Sequence, residues 1–83
     1  MNKAKMSKAF FYQMIEERLK ELTEEIEKLK ADEEISFEQR LAKENILFGR
    51  VMELSRMNSM AMDIDYWRYS ELDAKITELK DKI

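Results

Sequence analysis

Cysteine, histidine and proline are all missing from this 83-residue chain, and glycine occurs once, at Gly49. Without cysteine there are no disulfides, and without cysteine or histidine structural zinc loses its usual ligands. The same absences exclude the common Ser-His-Asp and Cys-His nucleophile systems. They also exclude the Glu-x-x-His ligand pairs of helical di-iron bundles. A Gly-rich phosphate loop cannot be built from one glycine. Asp63 and Asp65 begin like a calcium loop, but its sixth position is Arg68 and its twelfth Ala74, where glycine and glutamate are needed. No catalytic residue, cofactor or metal is expected, and the protein is read as a non-enzyme.

Other shortages narrow the class further. Lack of proline and glycine leaves almost no turn vocabulary, which disfavours sheets. Neither sign of charge dominates: the net charge is −3, so no global basic field draws the chain to nucleic acid or anionic lipid. No apolar run approaches the roughly 18 residues of a membrane span. Lys3, Lys5 and Lys8 precede an apolar run from Ala9 to Ile15, in the manner of a signal peptide. Gln13 interrupts that run, however, and Glu16, Glu17 and Arg18 follow it without a small-residue cleavage site. The segment reads as the start of an amphipathic helix, and a soluble, cytoplasmic protein is expected.

What the chain does contain is helix formers. Glu, Lys, Leu, Met and Ala abound, and 40% of residues are charged, well above the usual quarter. Tyr12, Ile15, Leu19, Leu22, Ile26 and Leu29 alternate three and four residues apart, the rhythm of a coiled-coil seam. Phe11 and Met14 widen this stripe, and Glu16–Lys20 and Glu24–Lys28 are favourable i,i+4 pairs. Ser7 is the candidate N-cap of a helix over about 8–31. Ser36-Phe37-Glu38-Gln39 fits a capping box that starts a second helix, with acids at Asp32–Glu34 beside its positive end. The short connection implies an antiparallel hairpin.

The second helix, about 37–57, has a broad apolar face: Phe37, Leu41, Ile46, Leu47, Phe48, Val51, Met52 and Leu54. Such breadth predicts more than one neighbour. Gly49 is either tolerated drift or a point of close helix approach. A third helix, about 61–82, carries Tyr66, Tyr69, Leu72, Ile76, Leu79 and Ile83, supported by Glu71–Lys75 and Glu78–Lys82. Asn58, Ser59 and Asp63 are candidate caps between them. Yet the seam phase continues through Phe48, Val51, Ser55, Asn58, Met62 and Tyr69, so one long kinked helix is the alternative. The expectation is an all-α fold: an antiparallel helical hairpin or three-helix bundle with coiled-coil-like seams. It forms a single domain over 1–83, with residues 1–6 loose.

Candidate function residues follow from residue type. Tyr66, Trp67, Arg68 and Tyr69 are consecutive, so they point in different directions and cannot all enter one seam. Tyr, Trp and Arg are enriched at interface hot spots. Met57 and Met60 join them as a partner-binding set. The alternative is that Tyr66 and Tyr69 pack inward while Trp67 covers the core's edge. The methionines Met52, Met57, Met60 and Met62 fit core or dimer packing better than an adaptable groove. Arg40, Lys43 and Arg50 lie near one helical face and form the candidate nucleic-acid set. Tyr12, Ile15, Leu19, Leu22, Ile26, Leu29, Leu72, Ile76 and Leu79 form the candidate self-association seam.

The first functional reading is a small protein–protein interaction module, an adaptor or regulator, acting as a homo-oligomer with a dimer favoured. Lys, Glu, Ile, Asn, Phe, Tyr and Met, residues with mostly AT-rich codons, dominate, which suggests a low-GC bacterium or its phage or plasmid as source, and a modulator of a host protein fits that size. The alternatives are a dimeric nucleic-acid-binding regulator and a scaffold or assembly subunit. The acidic turn Lys30-Ala31-Asp32-Glu33-Glu34 between two helices is loosely similar to that of small plasmid RNA-binding hairpins that dimerise into four-helix bundles. That likeness spans a handful of residues and is one of layout, not evidence of function.

Overall fold

The first seam becomes α1, Lys3–Ala31, and the capping box starts α2, Phe37–Ser59. A third helix, α3, covers Tyr66–Lys82. The computed structural model describes residues 3–60, 62 and 64–83, with side chains from Ala9 onward. Among the described residues there is no strand. The chain is an all-α three-helix bundle with α2 in the middle, packed along both neighbours, while α1 and α3 meet over a shorter stretch. Glu25 meets Arg50 and Asn58 meets Tyr69, so each successive helix runs antiparallel to the one before.

Helix α1 starts at Lys3, earlier than the expected residue 8. Ser7 therefore lies inside a helix and caps nothing. Lys, Ala and Met favour helix, and no breaker stands among them. Of the segment expected to be loose, residues 3–6 are helical, and residues 1 and 2 lie outside those described. At α2 the cap is as expected: the Gln39 amide donates to Ser36 Oγ at 3.2 Å. An Asx turn in which the Glu34 amide donates to Asp32 Oδ1 shapes the connection.

The second and third helices are separate. α2 runs two residues past its expected end and α3 starts five residues late, at Tyr66. One long kinked helix is thus excluded. Asn58 and Ser59 belong to α2 and are not caps, and Asp63 falls outside the described residues. The cap of α3 is Asp65, whose carboxylate accepts from the Arg68 amide at 3.1 Å. No described residue at the break has positive φ, and the sequence there holds no glycine. The Met60 and Met62 amides instead close short turns onto the carbonyls of Met57 and Ser59.

The core draws one stripe from each helix: Tyr12, Ile15, Leu22, Ile26 and Leu29 from α1; Leu47, Val51 and Leu54 from α2; Leu72, Ile76 and Leu79 from α3. Leu19 is partly buried against it. Every candidate seam residue thus faces the chain's own core, and self-association through this seam would require opening the bundle. Gly49 faces open space, since nothing lies within 4 Å of where a Cβ would stand. The close-approach reading of that glycine is therefore wrong. Among the expected helix-surface pairs, Glu71–Lys75 forms at 3.8 Å. Glu16 turns instead to Arg68 on α3, clipping the two helices together.

Candidate protein interface

The break at 60–65 exposes apolar side chains that a continuous helix would have set on several faces. Met60 is 75% exposed and Trp67 83%, and Met62, Ile64 and Tyr66 are exposed as well. All five lie within eight residues of sequence, at the corner between α2 and α3. At about 200 Å² for a large side chain, their exposed parts amount to about 600 Å². Contiguous apolar patches of about that size are the largest on ordinary monomers and are often functional.

Aromatic rings pack on one another at the start of α3. Trp67 meets Tyr66 edge-on with ring centroids 6.3 Å apart, and Tyr66 meets Tyr69 at 6.0 Å. This places three rings in a row along the first turn of α3. Arg68 is half-buried and bonded to Glu16 on α1, with Glu71 at 3.8 Å. Its guanidinium anchors the start of α3 to α1, so the aromatic row is held on a fixed helix. Tyr12 adds a second tie. Its buried ring sits on the core, and its hydroxyl donates towards the Asp65 carbonyl at 3.5 Å. Burial raises the Tyr12 phenol above its ordinary value of 10.0, with Asp65 adding to the rise and Arg68 opposing it.

The partner-binding set of the sequence therefore divides. Met60, Tyr66 and Trp67 are exposed together; Met57, Arg68 and Tyr69 are half-buried beneath them. The inward reading of Tyr66 is overturned, because the first turn of α3 presents that side to solvent. Met57 does pack against the core, but Met52, Met60 and Met62 are exposed, so of the core-or-dimer expectation the core half fails for these three. Met62 and Ile64, outside that partner-binding set, are exposed in the same stretch.

The candidate nucleic-acid residues lie on a different side, towards α1. Arg40 reaches across to the end of α1, donating to the Leu29 carbonyl at 2.7 Å and also to the Asp32 carbonyl. It satisfies carbonyls that a helix end leaves open and sets positive charge at the negative end of the dipole. Arg50 pairs with Glu25 at 3.2 Å. Lys43 is exposed on the same α1–α2 groove, near Asp32 and Ile46. No group of three or more acidic side chains among the described residues is arranged to hold a metal. No described helix is long and apolar enough to cross a membrane.

No protein-family model matches the chain. No curated protein and no solved structure matches it either.

Proposed function

We propose that this protein is a non-enzymatic binding module, an adaptor or regulator, whose contact surface for a protein partner is the α2–α3 corner. The observation that carries this reading is the exposure of Met60, Met62, Ile64, Tyr66 and Trp67 within one short stretch. A large aromatic held on a rigid helix loses little conformational freedom on binding, and such side chains dominate interface energies. The adjoining methionines adapt their shape to a partner's groove. The nucleic-acid alternative draws less support. Two of its three cations, Arg40 and Arg50, already bond within the chain, and the corner itself adds no unpaired basic cluster.

A pull-down tests the proposal. The tagged full chain and a Trp67→Ala/Met60→Ser variant are each exposed to source-cell lysate, divided into nuclease-treated and untreated halves. The expected result is one protein recovered with the wild-type chain from both halves and lost from the variant, while both chains melt alike. Equal recovery by the variant contradicts the corner. Companions that vanish on nuclease treatment point to nucleic acid instead.

A further inference from the structure

Helix α2 carries a second apolar surface, distinct from both the core and the corner. Phe37 is 78% exposed, and Leu41, Phe48 and Met52 are each exposed on nearly half their surface. Their spacing of four, seven and four residues keeps all four within an arc of about 60°, since each residue turns the helix by about 100°. The stripe is about 22 Å long. It flanks the buried Val51 on the side away from the α1–α2 groove, which is lined instead by Ile46, Gly49, Arg50 and Glu53. Among the described residues none buries this stripe, although Leu41, Phe48 and Met52 are each partly covered. A monomer gains no stability from four large apolar side chains placed in register on a solvated face.

We propose that this stripe is the interface of an antiparallel two-fold homodimer, α2 against α2. The stripe is symmetric about its midpoint, which falls between Glu44 and Asn45. A two-fold axis there sets Phe37 against the second copy's Met52, and Leu41 against the second copy's Phe48. An aromatic ring thus meets a flexible side chain at each of the four contacts, a pairing that thioethers favour. Asn45, exposed at one edge of the stripe, meets its own copy beside the axis, and Glu44 at the other edge does the same, so an amide pair and a like-charged pair flank the axis.

Charge selects the antiparallel arrangement. Glu33 and Glu34 lie just before the stripe and Arg56 just beyond it, all three exposed. Among the described residues no ion pair within the chain engages any of them. The same register brings Arg56 of one copy level with Glu33 and Glu34 of the other, at both ends. A parallel pairing would set acids against acids and Arg56 against Arg56. Area agrees with a modest dimer. The exposed parts of the four side chains come to about 400 Å² per copy. With Glu38, Asn45, Ser55 and Arg56 at the rim, the two copies together bury about 1,200 Å², the lower limit of specific interfaces. An interface at that limit suits a weak, reversible dimer, formed apart from the corner.

The chain's lack of cysteine makes orientation directly testable. Phe37→Cys and Met52→Cys chains are prepared and oxidised gently, separately and mixed, while sedimentation equilibrium up to about 100 µM follows the wild type and Phe48→Glu. The expected result is a wild-type dimer, weakened at least about tenfold by Phe48→Glu. A 37–52 disulfide should form in the mixture and not in either chain alone. All three variants replace exposed residues, and an unchanged helical circular dichroism spectrum establishes that they fold. A wild type that stays monomeric throughout overturns the proposal. So does a dimer indifferent to Phe48→Glu, or disulfides formed equally well by each chain alone.

Discussion

Arg40 carries a structural duty that its residue type alone conceals. Its guanidinium bonds the Leu29 and Asp32 carbonyls, tying the start of α2 to the end of α1. Charge-assisted bonds of this kind, partly exposed, are worth about 1–2 kcal/mol. Arg40→Ala is expected to lower stability by that amount, and Arg40→Lys to restore less than half, because lysine lacks the two-pronged head. Urea unfolding of the three chains checks both. Gly49 works the other way. It costs a helix about 1 kcal/mol relative to alanine, and open space surrounds its Cβ position. Gly49→Ala should raise stability by about that much, a gain of about 4–8 °C in melting temperature for a domain of this size.

Tyr12 gives the fold a pH dependence whose sign follows from its raised phenol. A group that binds its proton more tightly when folded stabilises the fold fully below its unfolded value. That contribution is lost as pH rises through the higher folded value. The wild type should therefore lose stability above about pH 10 more steeply than Tyr12→Phe. Denaturant melts of the two chains between neutral pH and about pH 11 measure the difference. Asn58 is the other buried polar group, 0% exposed. Its amide donates to the Tyr69 carbonyl at 3.1 Å, while among the described residues its own oxygen accepts no bond. A buried amide among aliphatic neighbours costs stability but favours the register in which its one bond forms. It fixes α2 against the first turn of α3, directly beneath the aromatic row.

At the scale of helices, the sequence was legible where one apolar stripe had one use. The α1 rhythm from Tyr12 to Leu29 and the α3 rhythm from Leu72 to Leu79 both map onto the core. Ser36 was legible as a cap because it stands three residues before Gln39 and just after a run of acids. Helix α2 was not, because its apolar residues fill two arcs and periodicity does not say which is covered. Leu47, Val51 and Leu54 are buried; Phe37, Leu41, Phe48 and Met52 are equally apolar and lie outside. The break was half legible. Asn58, Ser59 and Asp63 competed as caps with Asp65, which lacks the acidic or amide residue three positions on that would mark a capping box. With the break displaced by several residues, Met62 and Ile64 could not be assigned to the corner, although Met60, Tyr66 and Trp67 could.

The whole molecule is a rod, 53 × 19 × 15 Å. Such a shape is thin enough that each helix can hide only one narrow face, and a chain of 83 residues has little core to spare. Apolar residues outside those faces are left for other molecules. The corner and the α2 stripe are two such surfaces, one formed by a turn and one by helical register. They do not overlap in sequence, so a dimer built on the stripe presents two corners. Two linked corners raise the avidity for a partner that offers repeated sites, with no new contact needed.

The corner is the centre of this account, and photo-crosslinking in source cells tests it most directly. A benzophenone amino acid is placed at Trp67 in one chain and at Glu27, exposed on α1 away from the corner, in another. The account predicts a discrete protein adduct from position 67 and none from position 27. The same adduct from both positions, or none from position 67 in a chain shown to be folded, would contradict it.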